Sequence, residues 1–250
     1  MDMTAWAMRG ILIWNQKGGT TMIQTVQMKI IARIHSDFDE KFGIPRQSGL
    51  VDSLRAKIVF EPEFRAAEAV RGLEDFSHVW LIWQFSQAVR ENWSPTVRPP
   101  RLGGNARMGV FATRSPFRPN AIGLSCVRLD HIEPQTPEGP VIWVRGADLL
   151  DGSPIFDIKP YLPYADAHPE ALGGFALQEK EGALRIVFPE ELLARVPEEL
   201  RQGLCDVLRQ DPRPGYQDEP GRRYGMAFAG FDVRFTVENG VLTVVEVAEK

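Results

Sequence analysis

Cysteine, histidine and the glycine spacings of nucleotide-binding turns are what this sequence is short of. Its 250 residues hold two cysteines, Cys126 and Cys205, 79 positions apart and outside any C-x-x-C pattern. That reads as two reduced thiols and excludes a disulfide framework. The four histidines, His35, His78, His131 and His168, show no H-x-x-x-H or H-E-x-x-H spacing, so no local zinc site is expected and no metal is assigned. No two of the 22 glycines are separated by a single residue, which excludes the G-x-G-x-x-G dinucleotide turn. Gly104 and Gly109 have Walker A spacing, but Val110 follows where lysine is required. No apolar run approaches the roughly 18 residues of a membrane span. Residues 1–22 carry Arg9 and Lys17 without an apolar stretch or a small-residue cleavage site, so no secretory leader is expected and the chain is placed in the cytoplasm.

Acidic residues are missing from one long window. From Asn92 to Leu129 there is no Asp or Glu, while Arg98, Arg101, Arg107, Arg114, Arg118 and Arg128 are all present. A +6 window in a chain of net charge −4 leaves −10 on the other 212 residues, so charge is sorted along the chain. All six cations are arginine, the side chain suited to planar, bidentate recognition of phosphate or carboxylate. The window therefore offers a polyanion a landing surface on an otherwise acidic body.

The 44% hydrophobic and 25% charged composition is that of an ordinary folded chain. Strand patterns are read at 23–35, 57–60, 79–85, 109–113, 122–131 and 141–145, with a single short helix at 63–71. So few helical crossovers cannot build a doubly wound parallel sheet, and a largely β, barrel-like domain is expected. Residues 166–183 read as a linker. Beyond them, helical spacing at 190–195 and 198–209 precedes strand patterns at 223–237 and 241–247, joined by a Glu238-Asn239-Gly240 turn. The expected organisation is an N-terminal extension over 1–22, a barrel domain over 23–165, and a small α+β unit over 184–250. About 67 residues make a thin core, so this last unit should lean on the first domain or on a second chain.

The candidate chemistry lies in proline-rich clusters, which taken singly also read as tight turns. Proline fixes φ and so presents neighbouring side chains on loops of restricted entropy. Asp157, Lys159 and Tyr161 recur at period two, which on a strand would place carboxylate, amine and phenol on one face, or simply pair Asp157 with Lys159. Several runs are long: Phe76-Ser77-His78, Pro95-Thr96-Val97-Arg98-Pro99-Pro100-Arg101-Leu102-Gly103-Gly104-Asn105, Gly109-Val110-Phe111-Ala112-Thr113-Arg114-Ser115, Asp157-Ile158-Lys159-Pro160-Tyr161-Leu162-Pro163 and Asp211-Pro212-Arg213-Pro214.

On these runs the sequence resembles the TrmO, or TsaA-like, family over about residues 28–250. The resemblance implies a fold that is mainly β with an α+β addition: a single-sheeted, non-Rossmann β-barrel catalytic domain and a small C-terminal α+β domain, assembled as a homodimer. It implies an S-adenosyl-L-methionine-dependent tRNA methyltransferase acting on N6 of threonylcarbamoyladenosine at tRNA position 37, beside the anticodon. Family cofactor contacts fall on Pro45, Arg46 and Gln47, on Ser86 and Gln87, on Arg114 and Leu124, and on Asp151, Gly152, Ser153 and Pro154. Ser86 stands where members often carry His, and Ala121 where they carry Pro.

A methyl donor of this kind is a sulfonium cation with an adenine face, a carboxylate and an ammonium, and methyl transfer is an in-line displacement governed by alignment. The accepting nitrogen is urea-like, so a base would help. Asp157, Tyr161, Asp211 and Tyr216 are the candidates, with Arg213 set to bind a phosphate or the threonyl carboxylate. Arg98, Arg101, Arg107, Arg118 and Asn120 are the expected RNA contacts, with Trp93, Phe117 and Tyr216 available to stack on bases of an anticodon stem-loop. Two other readings use the same residues, a non-enzymatic RNA-binding module and a methyltransferase acting on a small molecule.

Overall fold

The computed structural model describes residues 11–14, 20–23, 25–102, 104, 106–177, 183–213, 219 and 221–250. A hairpin pairs β1 (Ile11–Trp14) with β2 (Thr20–Ile23). Six strands then build a closed barrel: β3 (Ala32–His35), β4 (Arg55–Phe60), β5 (His78–Gln84), β8 (Ile122–Thr136), β9 (Gly139–Arg145) and β10 (Pro154–Pro160). Between β5 and β8, a two-residue ladder joins β6 (Thr96–Val97) to β7 (Met108–Gly109) outside the barrel. Around the barrel the order is β10-β3-β4-β9-β8-β5, with β5 closing on β10 and every neighbouring pair antiparallel.

Alternation explains the closure. In β5, Val79, Leu81 and Trp83 point inward while the residues between them stay partly exposed. β8 serves two neighbours, β5 through residues 122–128 and β9 through 128–136, with register shifts after Leu129 and Glu133 that turn the strand around the barrel corner. Ile34, Ile58, Leu81, Val127, Ile142 and Ile155 fill the interior without solvent contact. Each contributes about 1.5–3 kcal/mol by leaving water.

The C-terminal unit is a four-stranded sheet of β11 (Arg185–Val187), β12 (Tyr224–Phe228), β13 (Phe231–Glu238) and β14 (Val241–Glu249), in the order β11-β14-β13-β12, with only β11 parallel to its neighbour. The helix Glu198–Arg209 covers it. Leu200, Leu204, Val207 and Leu208 give that helix one apolar stripe, Glu198 and Glu199 sit at its positive end, and Arg209 sits in its last turn. The sheet does not close its core alone. Phe38, Val51 and Leu54, all from barrel loops, belong to the C-terminal core, and the Phe38 ring meets Phe228 edge-on at 5.7 Å. Gly43, at φ 97°, admits Met226 so closely that a Cβ there would lie 2.3 Å from its sulfur. The small unit leans on the first domain.

Four segments differ from the sequence reading. The helix expected at 63–71 is two 3-10 turns, Pro62–Phe64 and Ala67–Val70, parted by extended Ala66; with Val70 alone buried, no apolar stripe holds a longer helix together. The strand expected at 23–35 is not continuous: Ile23 ends β2, no strand forms at 25–31, and β3 covers only Ala32–His35. After Gly109, the strand expected through 113 gives way to a 3-10 turn, Val110–Ala112, which the Thr113 hydroxyl closes by donating to the Val110 carbonyl at 2.8 Å. The strand expected at 223–237 is a hairpin instead, because Ala229 and Gly230 take left-handed φ values of 47° and 83°. The Ala229 amide donates to the Asp37 carbonyl at 2.7 Å, tying that hairpin to the barrel.

Asp37 lies at this junction. Burial, with the Asp151 carboxylate behind it, pushes its carboxyl up to about 6. A carboxyl that holds its proton more tightly folded than unfolded favours the fold at low pH and opposes it as pH rises from about 4 through 6. Asp37→Asn should therefore raise stability at pH 7–8 by about 1–2 kcal/mol after allowance for partial exposure. Urea denaturation across pH 4–8 checks this: the gain should vanish below pH 4, and a gain that persists there would assign it to another cause.

Candidate active site

One mouth of the barrel opens into a cleft of about 520 Å³, within the usual range for small-molecule sites. Its floor is made by two adjacent strands. Trp83 of β5 pairs in register with Gly123 of β8, and a Cβ on Gly123 would lie 2.3 Å from Cε2 of the indole, so the ring rests on bare backbone. The Trp83 indole N–H donates to Ser125 Oγ at 3.0 Å, and the Ser125 hydroxyl donates to Asp148 Oδ1 at 2.6 Å. This relay ends on a carboxylate at the cleft wall. Burial raises the Asp148 carboxyl above the ordinary range, against the pull of Ser125, the main-chain amides of Asp148 and Ser48, and the Arg114 guanidinium. Phe85 stacks obliquely on Trp83 with ring centres 4.2 Å apart, and Ile44, Leu124 and Leu150 complete the apolar walls.

Most of the residues expected at a cofactor line this cleft. Pro45, Arg46 and Gln47 come from the turn before β4, and Ser86 and Gln87 from the 3-10 turn Ser86–Ala88 that follows β5. Arg114, Leu124 and Ser153 come from three other segments. Arg114 donates to Gln47 Oε1, which joins two of these segments across the opening. Asp151, Gly152 and Pro154 sit behind the wall. The Asp151 carboxylate accepts the Ser36 amide at 3.0 Å, the Gly152 carbonyl accepts Arg33 at 3.1 Å, and Pro154 is paired into β10 opposite Arg33. Together they orient Ser153. Sequence reasoning did not select Trp83, Phe85, Ser125 or Asp148. Only one signal was available: a polar Ser125 at an inward position of an apolar strand.

The arginine window divides. Arg114 and Arg118 line the cleft, while Arg98 and Arg107 are exposed, Arg107 reaching Thr96 Oγ1 at 3.5 Å. Among the described residues, none of these four makes an ion pair. Arg128 faces elsewhere and pairs with Asp52 at 3.0 Å. Asn120 is exposed at the start of β8, its carbonyl accepting the Ile122 amide at 2.8 Å. The Arg101 side chain and the whole of Tyr216 lie outside the described residues.

Asp211 and Arg213, from the C-terminal unit, are tied to the cleft through Arg46. Asp211, at φ 52°, grips Arg213 through two bonds, Nε to Oδ1 at 2.9 Å and Nη2 to Oδ2 at 3.2 Å. Arg46 then donates to the Arg213 carbonyl at 3.1 Å. Asp157 and Tyr161 are not brought to the cleft. Asp157 pairs with Lys159 at 2.9 Å on the barrel exterior, and Tyr161 lies beside Trp80 with ring centres 5.9 Å apart.

Comparison with known proteins gives one consistent result. The tRNA-methyltransferase O N-terminal domain pattern matches residues 33–167, and the TrmO C-terminal domain pattern matches 183–250. The tRNA (adenine(37)-N6)-methyltransferase of Escherichia coli K12 is 42% identical over 224 residues, 86% of this chain and 94% of the relative. That of Eikenella corrodens is 48% identical over 170 residues, 68% of this chain and 95% of the relative. A crystal structure of TrmO from Pseudomonas aeruginosa superposes with a TM-score of 0.73 at 38% identity, covering 91% of this chain and 99% of that one.

The floor of the cleft is testable by one methyl group. Gly123→Ala forces the Trp83 ring off its seat, and overpacking of this kind costs about 1–3 kcal/mol. The melting temperature should fall and the tryptophan near-ultraviolet circular dichroism should change; an unaltered spectrum and melting curve would show that the ring is not seated on that backbone.

Proposed function

The chain belongs to the tRNA-methyltransferase O family, and from that membership we propose that it methylates N6 of threonylcarbamoyladenosine at position 37 of tRNA, as a cytoplasmic homodimer. S-adenosyl-L-methionine is its cofactor; when bound, it supplies an electrophilic methyl group on a sulfonium centre.

The cleft fits that donor chemically. A half-buried carboxylate, Asp148, held by Ser125, suits a cationic group, and Phe85 with Leu124 and Leu150 suits an adenine face. The guanidinium of Arg114, fixed by Gln47, suits a carboxylate. Pro45, Arg46, Gln47, Ser86, Gln87, Arg114, Leu124 and Ser153 would hold the donor directly, with Asp151, Gly152 and Pro154 holding the wall behind it.

What supports the reading most directly is the bond from Arg46, inside the cleft, to the Arg213 carbonyl of the C-terminal unit. It ties the Asp211–Arg213 pair to a residue of the cleft, and in this reading an RNA nucleotide would enter beside it. In this reading the Asp211 carboxylate, oriented by the bidentate grip of Arg213, would take the N6 proton, and Arg213 would bind the phosphate or threonyl carboxylate of the substrate. Asp157 and Tyr161, on the outer barrel, have no part in this. Arg98, Arg107 and Arg118, with Asn120 and Arg101, would take the RNA phosphates.

Two measurements test the proposal. Arg213→Ala keeps the main-chain carbonyl that anchors Arg46, so turnover should fall at least roughly 100-fold, the scale of a lost charged transition-state contact, with donor affinity by calorimetry nearly unchanged; full activity would defeat the role. Nucleoside mass spectrometry after incubation of tRNA with isotopically labelled donor should place the label on threonylcarbamoyladenosine. Label on unmodified adenosine, or on no nucleoside, would sink the assignment.

A further inference from the structure

Beside the cleft lies an aromatic surface that the proposed chemistry does not use. Phe111 is 72% exposed and Trp93 53% exposed, with ring centres 6.1 Å apart and planes inclined by 33°, so each presents an open face to solvent. Their backbones are fixed. Phe111 stands in the 3-10 turn closed by Thr113, the Val110 amide donates to the Pro95 carbonyl at 2.9 Å, and the Ser94 hydroxyl donates to the Thr96 carbonyl at 2.8 Å. Guanidinium groups continue the layer inward. Arg118, held by the Thr113 carbonyl at 2.8 Å, has Cζ 5.9 Å from the Phe111 ring and also lines the cleft. At the cleft lip, Arg90 lies 3.9 Å above the Phe117 ring.

We infer that Trp93 and Phe111, joined to the cleft by Arg118, form a stacking platform for the unpaired bases that flank the reacting nucleotide in an RNA loop. The inference rests on the RNA-modifying reading of the cleft and extends it to substrate shape. Charge decides the occupant. The stretch from residue 92 to 129 has no carboxylate, and Arg98, Arg107, Arg114 and Arg118 make no ion pair among the described residues. A protein laid over these rings would have to bring a carboxylate to each guanidinium or bury it unpaired at a cost. A nucleic acid supplies phosphates for the cations and a π-face on every base for the rings. Since paired bases cannot reach such a platform, it selects single-stranded loops over duplex.

The test compares Trp93→Ala, Phe111→Ala and Phe111→Tyr with the wild-type protein. Three quantities are read: affinity for a fluorescein-labelled anticodon stem-loop and for a blunt RNA duplex of equal length, by anisotropy at fixed salt; affinity for S-adenosyl-L-methionine, by calorimetry; and molecular mass, by light scattering. Each alanine variant should bind the stem-loop roughly 10-fold more weakly, the scale of one lost base–aromatic stack. Duplex and donor affinities and mass should hold, and Phe111→Tyr should restore loop binding. Stem-loop affinity within twofold of wild type, or equal losses on loop and duplex, would overturn the platform. A lower mass in the alanine variants would overturn it too, by showing a contact between copies of the chain. Wild-type protein that labels tRNA while its variants bind the loop normally would sink this inference alone, whereas wild-type protein that neither binds nor labels tRNA would sink the proposed function beneath it.

Discussion

The indole of Trp83 lying on the bare backbone of Gly123 is the contact on which the cleft depends. Opposing the largest side chain to the smallest across two paired strands lets the barrel wall remain closed while a ring spans its mouth. From the indole nitrogen the hydrogen bonds run outward through Ser125 to Asp148, so an acidic group is held in a partly dry wall with its donors already in place. Such a group needs no rearrangement when a cation arrives. The aliphatic and aromatic walls, the Gln47–Arg114 bridge and the supporting loop around Ser153 are arranged about that floor.

The second organising constraint is that the two halves of the chain are not separable bodies. Phe38, Val51 and Leu54 leave the barrel to fill the core beneath the C-terminal sheet, and Gly43 is shaped to receive Met226. This packing brings residues 211–213 to Arg46, which lines a cleft built from residues 41–153. Arg46 then belongs to both halves, lining the cleft with one part of the chain and fixing the main chain of the other.

Loops were more legible in the sequence than floors. Proline, arginine and glycine punctuate the segments around residues 45, 114 and 153, and those segments do converge. Trp83 and Ser125 were not legible as partners, because they are 42 positions apart and their meeting is set by the register of two strands, which no local pattern reports. Asp148 reads as an ordinary turn residue until burial distinguishes it. The barrel itself followed from the frequency of strand patterns and the scarcity of helical crossovers, whereas strand ends did not: Ala229-Gly230 looks like the middle of a strand, yet both residues take left-handed φ and the Ala229 amide turns to the Asp37 carbonyl. The period-two row of Asp157, Lys159 and Tyr161 was correctly spaced for one face, but alternation cannot say which side of a barrel that face adorns.

The last strand of the chain, β14, is not at the margin of its sheet; it lies between β11 and β13 and bonds to both. A strand so placed is the seam of its sheet, holding β11 on one side and the β12–β13 hairpin on the other. Leu242, Val244 and Val247 of β14 sit in the same core as Phe38, Val51 and Leu54, so the seam also covers the flank of the barrel. Breaking that one strand would part the sheet and uncover the barrel in a single stroke.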